Sequence, residues 1–348
     1  MQNGGKAMST FQTFFQEKRS KAWIFLFLSA AGLFAGLMAG LCLGASPIGF
    51  PLLIKTLSQG DPDDYLFRII VTVRFPRVLG ALLAGSGLAV SGTIIQSVLN
   101  NPLASPNIIG VNAGAGFFVL LTSALLPPTL YLLPAAAFFG AMFACLLVLL
   151  AGALGQMSQL MLVLVGFVVN SIFSAGMNAI MILYPDAYVG SGNFLAGGLS
   201  SVTTKALACP SVLIMLGLIL AVLSSKGLNL LSLGSDYART LGMNVPVSRC
   251  LYLAVASILA GAAVSFCGLI GFVGLLVPHG VKLLIGTDNR FVIPASALTG
   301  GWFVIICDLL SRTMFLPYEL PVGIFMSLIG SPCFLYLILK SRKNRISG

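Results

Sequence analysis

Residues 74–116 read RFPRVLGALLAGSGLAVSGTIIQSVLNNPLASPNIIGVNAGAG, a small-residue apolar run that stops at Asn100-Asn101-Pro102 and restarts after Pro106. No helix passes undisturbed through two prolines and two asparagines, because proline removes a backbone donor and clashes with the preceding turn. Lipid cannot satisfy loose backbone groups, so a break in a chain this apolar must be buried in protein or line a wet cavity. That is the local signature of a transport pathway.

The setting makes the constraint binding. Of 348 residues, 58% are hydrophobic and 8% charged, against about 25% charged in an ordinary soluble domain. The sequence is that of an all-α polytopic membrane protein with room for about ten spans of roughly 20 residues. It reads as one transmembrane domain, 1–348. Spans are expected near 22–44, 73–99, 108–126, 131–154, 158–184, 210–225, 248–268, 271–286, 291–315 and 320–340.

A break of the same composition recurs. Leu83-Ala84-Gly85, Gly92 and Pro102 reappear at identical spacing as Leu259-Ala260-Gly261, Gly268 and Pro278. Matching breaks in two halves point to a transporter built from repeats. Five spans per half would give the halves opposite orientations, as two inverted five-helix repeats. The expected helix breaks are therefore Asn100, Asn101 and Pro102 in one half and Pro278 in the other.

The net charge of +10 does not imply a nucleic-acid partner. Much of the excess lies in Lys18-Arg19-Lys21 and Lys340-Arg342-Lys343-Arg345, as expected where juxtamembrane cations anchor cytoplasmic ends beside membrane lipid. Residues 1–21 read as a cytoplasmic amphipathic lead-in rather than a cleaved signal, and both termini are expected inside. Most Lys and Arg then fall inside; Arg68, Arg74, Arg77 and Arg312 fall outside. These outer arginines either serve an anionic partner or pair with Asp61, Asp63, Asp64, Asp308 or Glu319, Asp308 and Arg312 being one helical turn apart.

The longest inner loop, 226–249, carries an apolar face (Leu230, Leu231, Leu233, Ala238, Leu241), the polar Ser235, Asp236 and Arg239, and turn glycines Gly234 and Gly242. It reads as a pair of short helices, either an ordinary structured loop or a docking surface. In span 158–184, Gly166, Asn170, Ser174 and Asn178 recur every four residues, so they share one face that lines a path or makes interhelical hydrogen bonds.

Several chemistries are excluded. His279 is the sole histidine, and the seven cysteines include no CxxC, so multi-histidine metal sites and zinc knuckles are out. No P-loop motif occurs, and no acidic residue falls in mid-span as a proton-coupled carrier needs. The chain should hold no metal and no cofactor, and an active transporter of this kind must draw energy from another subunit. A secondary transporter working without an ATPase is the alternative.

The runs RFPRVLGALLAGSGLAVSGTIIQSVLNNPLASPNIIGV, LLSLGSDYARTLGMNV, GFVGLLVPHGVKLLIGTDNR and DLLSRTMFLPYELPVGIFMSLIGSPCFLYLIL resemble the FecCD-type permeases, membrane subunits of type II ABC importers for ferric siderophores, haem and cobalamin. The resemblance covers nearly everything past residue 60. It implies a bacterial inner-membrane subunit with ten helices and a second permease copy completing a dimer around the pathway. It also implies two cytoplasmic ABC ATPases that bind ATP and Mg, and an extracytoplasmic binding protein that delivers the iron chelate. By the same resemblance Leu233, Gly234, Ala238, Arg239, Leu241 and Gly242 would belong to the ATPase-coupling helices. Arg74, Arg77 and Arg312 would grip the binding protein, and the Asn170/Ser174/Asn178 face would line the pathway. Two positions depart from the family pattern: Lys282 stands where an arginine is frequent, and 185–209 follows it loosely.

Overall fold

The computed structural model describes residues 2–44, 47–127, 129, 131–154 and 158–346, with side chains described between Arg19 and Leu337 among them. The polar face of the lead-in and the basic cluster after Lys340 lie outside the described side chains. The expected inner loop 155–157 lies outside the described residues.

The described chain is helical throughout. In order come α1 (Gln2–Cys42), α2 (Phe50–Gln59), α3 (Tyr65–Arg68), a π-helical turn (Ile69–Arg74) and α4 (Phe75–Val98). A 3₁₀ turn (Pro106–Ile109) precedes α5 (Val111–Leu125), followed by α6 (Leu132–Leu154), α7 (Gln159–Leu183), α8 (Pro185–Ala196) and α9 (Thr204–Leu223). Then come α10 (Ser225–Ser232), α11 (Ser235–Thr240), α12 (Val245–Cys267), α13 (Val273–Ile285), α14 (Asn289–Thr313) and α15 (Val322–Ile346). Among the described residues, seven helices have the length and composition to cross a membrane, and the shorter apolar α5, α13 and α15 bring the number to the expected ten. The protein is multi-pass, and its spans fall within a few residues of the sequence expectation.

Helix α4 is the axis of the fold, buried along nearly its whole length against α12, α13 and α14. Its small residues allow this. A Cβ at Gly85 would sit 2.1 Å from the Gly300 carbonyl oxygen of α14, and one at Gly92 would sit 1.8 Å from the Gly274 oxygen of α13. Helices in lipid associate through packing rather than hydrophobic expulsion, so such backbone approaches are the main source of cohesion. Ser91 adds a buried hydrogen bond from its hydroxyl to the Ala256 carbonyl of α12, 2.6 Å. By contrast α1, α7 and α9 keep one face packed and expose apolar side chains on the other, as at Phe27, Leu164, Phe167 and Ile219.

The described start of α1 approaches the end that carries α10 and α11. Trp23 of α1 meets the ring of Phe291 at the start of α14, and Asn289 beside it bonds to Asn229 of α10.

Pro278 does not break a helix. It is the sixth residue of α13, which continues through it to Ile285. The second-half break lies earlier, at 268–272, where Gly268 caps α12 with φ +71 and Phe272 is left-handed at φ +64. Proline leaves the Gly274 carbonyl without its usual partner at position 278, and that carbonyl lies against Gly92 of α4. The matched spacing of Gly92/Pro102 with Gly268/Pro278 is thus a coincidence of residues: Gly92 lies inside α4, whereas Gly268 ends α12.

Segment 185–209, read as a loop, contains α8. Its C-terminal end holds the second break, with the Leu269 N–H donating to the Phe194 carbonyl at 2.9 Å. The Gly323 N–H of α15 donates to the Gly197 carbonyl at the same distance.

Candidate functional site

The first break is where the sequence placed it. Leu99 ends α4, Asn100 takes a left-handed φ of +44, and the Asn101 side chain accepts the Leu103 N–H at 2.9 Å. Asparagine tolerates this conformation better than other non-glycine residues. The chain then doubles back, and Pro106–Asn107 returns beside Leu88, roughly halfway along α4.

The second break descends to the same level. Leu88, Ser105–Asn107 and Ile270–Gly274 enclose one small space, and a Cβ at Gly274 would lie 2.8 Å from Pro106 Cδ. The interrupted segments of the two halves therefore meet beside the middle of α4, with Pro106, Ile270 and Gly274 buried at the meeting point while Leu103 and Asn107 stay exposed. Helix α5 closes the seam from one side, with Asn112 Nδ2 at the limit of hydrogen bonding to the Ile270 carbonyl, 3.5 Å. From the other side Phe272 lies against Gly330 of α15.

The α7 stripe divides at this seam. A Cβ at Gly166 would lie 1.9 Å from the Ile108 carbonyl oxygen, and the Asn170 amide donates to the Asn107 carbonyl. For these two residues the interhelical reading holds, and Gly166 is buried rather than facing an open path. Ser174 is half-buried and Asn178 exposed, so the outer half of the stripe is open. A cavity of about 550 Å³ lies elsewhere, between α1, α13, α14 and α15. Ser29 and Thr299 in its wall are within hydrogen-bonding distance of each other, leaving an apolar recess apart from the seam.

At the far end from α10–α11, Arg77 and Arg312 converge on two carboxylates, and Arg74 binds the end of α1. Arg77 Nε lies 2.9 Å from Asp308 Oδ1, and its Nη1 lies 2.8 Å from Glu319 Oε2. Arg312 Nε lies 3.7 Å from the other Asp308 oxygen, while its Nη2 donates to the Gly40 carbonyl at 2.6 Å. Arg74 Nη1 donates to the carbonyls of Leu41 and Cys42, capping the last turn of α1. All three arginines are at least nine-tenths buried. Of the two sequence readings, internal pairing is the one the geometry has, and exposed cations waiting for a partner are not what is found. Arg68 is exposed.

At the opposite end α10 and α11 form the expected short pair, turned by Gly234 (φ +114) and Gly242 (φ +84). Leu233, Tyr237 and Leu241 make an exposed ridge, each more than 60% accessible. Arg239 is exposed beside them. Ala238 is fully buried, so it packs the pair against the bundle instead of facing outward. Tyr237 was not singled out from the sequence; it shares a face of α11 with Leu241 at i,i+4 spacing, whereas Leu233 caps α10 across the Gly234 turn.

Polar contacts that sequence did not suggest anchor this pair. Asn229 of α10 donates from Nδ2 to Asp288 Oδ1 at 2.7 Å and accepts the Asn289 N–H at 2.8 Å. The Ser97 hydroxyl of α4 shares its one proton between the Thr93 carbonyl of its own helix, 2.9 Å, and Asn289 Oδ1, 3.2 Å. Arg249 of α12 donates from Nη2 to the Ser235 hydroxyl at 2.7 Å. Lys282 reaches α4, donating to Gln96 Oε1 at 3.2 Å.

Known proteins of this architecture match end to end. The chain is 37% identical over 331 residues to the Fe(3+)-citrate import system permease protein YfmD of Bacillus subtilis, covering 94% of this chain and 98% of that one. It is 36% identical over 316 residues to the hemin transport system permease protein HmuU of Yersinia pestis, covering 89% and 95%. A solved inward-facing metal-chelate type ABC transporter superimposes with a TM-score of 0.81 at 28% identity, over 90% of this chain and 98% of its own. The model of the FecCD transport family matches residues 32–340, and with the broken-helix bundle that carries the match, the chain belongs to that family.

Proposed function

We propose that this chain is the membrane permease of an ATP-driven importer that moves a ferric chelate inward. The observation carrying the reading is end-to-end similarity to permeases named for hemin and for Fe(3+)-citrate, two cargoes that share iron held by an organic ligand. The chain itself makes and breaks no substrate bonds. Two permease copies would enclose the pathway, the open face of α7 with Ser174 and Asn178 contributing to its wall. ATP and Mg would bind two cytoplasmic ATPases seated on the Leu233/Tyr237/Leu241 ridge. An apolar ridge on a small helix pair is suited to a protein groove, since burying each such side chain favours association.

In this reading the α10–α11 end and both termini face the cytoplasm, and the arginine end meets an extracytoplasmic binding protein. A docking protein's acidic side chain would complete the cluster by taking the place of Glu319, whose side chain is 44% exposed. The test is uptake by cells expressing the chain with its ATPase and binding protein, comparing labelled ferric siderophores, haem and cobalamin. Accumulation of one iron chelate only with an intact ATPase Walker lysine is expected. Accumulation independent of the ATPase would move the energy source into this chain and favour a secondary transporter.

A further inference from the structure

The two short helices at the proposed cytoplasmic end are tied by polar contacts to different helices of the bundle: α10 to the α13–α14 turn and through it to α4, and α11 to α12. Helix α10 holds the α13–α14 turn through Asn229, using both functions of its amide on Asp288 and the Asn289 backbone. Asn289, 1% exposed, holds Ser97, 3% exposed. Ser97 stands two residues before Leu99, where α4 gives way to the first break. Helix α11 holds α12 through Ser235 and the buried Arg249, and α12 leads to the second break at Gly268.

We propose that these are two mechanical clasps, Asn229–Asn289–Ser97 and Ser235–Arg249, through which one loop moves both broken segments of the seam together. The proposal rests on the importer reading and assigns to it positioning residues that touch neither cargo nor nucleotide. Hydrogen bonds suit this task because they are directional and fail beyond about 3.5 Å. Apolar contacts between helices can slide, whereas the half-buried Asn229 amide has both functions occupied, and its withdrawal would leave the backbone N–H of the buried Asn289 unpaired, which is costly away from water. Helix α12 then acts as a stiff rod, since its backbone bonds are all internal. The first clasp lies beside its break; the second acts through the length of a helix. Cooperation of the halves at the seam, where Pro106 meets Gly274, requires both to be driven from the same side.

The test uses the assembled transporter, permease with ATPase and binding protein, in proteoliposomes. Leu103→Cys in a cysteine-free background reports on the first break, because Leu103 is 47% exposed. Its maleimide labelling rate is compared between nucleotide-free and vanadate-trapped complexes. The unmodified clasps should give a nucleotide-dependent change in that rate. Ser97→Ala or Asn229→Ala should shrink the change at least threefold while ATP hydrolysis and assembly stay within twofold. Ser235→Ala should do the same more weakly, with rescue by Ser235→Thr. A clasp that merely stabilises the fold would lower assembly and hydrolysis along with the change, and that pattern overturns the proposal. So does a change of wild-type size in Ser97→Ala and Asn229→Ala. Absence of any nucleotide-dependent change with intact clasps would overturn the ATP-driven reading itself, and the clasps with it.

Discussion

The two ends of the molecule handle their exposed chemistry in opposite ways. At one end, three arginines that a charge-rule reading puts on the surface are folded inward and bound to Asp308, Glu319 and the carbonyls ending α1. At the other, the apolar Leu233, Tyr237 and Leu241, expected to be sheltered in a soluble fold, stand in the open. Charge that is already satisfied holds structure first and can serve a partner only by exchange. Apolar surface held out on short, clasped helices has no internal use and needs a partner to cover it. The contrast predicts that substitutions at the arginine end act first on stability, and those at the loop end act first on association.

The largest effect should come from Asp308→Asn. Asp308 is 1% exposed and faces both Arg77 and Arg312, so the change leaves two buried guanidiniums without their shared counter-charge. Breaking a buried pair by removing one partner costs about 3–5 kcal/mol. Purified Asp308→Asn permease should lose much of its yield and melt well below the unmodified protein. Melting unchanged to within a degree would mean that the cluster is not structural, and the distinction between the ends would collapse.

Next comes the ridge. Leu233→Asp, and separately Leu241→Asp, places a carboxylate where the exposed ridge would be covered. A charge desolvated at an interface without a partner loses on the order of 2 kcal/mol or more, so ATPase association should weaken about 30-fold or more. Permease yield should be untouched, because neither side chain is buried. Pull-down of the ATPase by purified permease measures the first quantity and detergent-solubilised yield the second. Ala238→Asp is the internal contrast: Ala238 is fully buried, so yield should fall as well.

Most of the architecture was legible because hydropathy has a length scale: an apolar run long enough to span can do little else. Spans such as α6 and α7 were read within two residues. The first break was equally plain, since Asn100-Asn101-Pro102 admits no helix. The second was misplaced because proline is only a local signal. Helix α13 runs through Pro278, and the carbonyl it frees at Gly274 lies against Gly92, far away in sequence, so no local pattern marks the outcome. Helix α8 was missed because its composition, PDAYVGSGNFLA, is that of a loop, and it is pinned by contacts to Leu269 and α15. The clasps were invisible for the same reason. Asn229 and Asn289 are ordinary residues in a sequence, and their pairing exists only once α10 folds beneath the α13–α14 turn.

The smallest and most discriminating effect is expected at Glu319. It joins the arginine cluster from the loop between α14 and α15, and its side chain is 44% exposed against 2% for Asp308. Water screens its bond to Arg77, so despite the 2.8 Å separation the pair should contribute no more than about 1 kcal/mol. Glu319→Gln should therefore leave melting nearly unchanged, although it removes a contact as short as the one Asp308 makes. Its effect should appear in docking. With Glu319 neutralised, Arg77 offers its Nη1 to an incoming carboxylate without an internal competitor, and the affinity for the binding protein should rise severalfold. The rise should be steeper at low salt, because the interaction is between charges at a wet rim. Titrating binding protein onto immobilised permease at two ionic strengths measures this. Weaker docking in Glu319→Gln would show that the partner needs the carboxylate rather than the arginine behind it, and the exchange picture of the arginine end would fall.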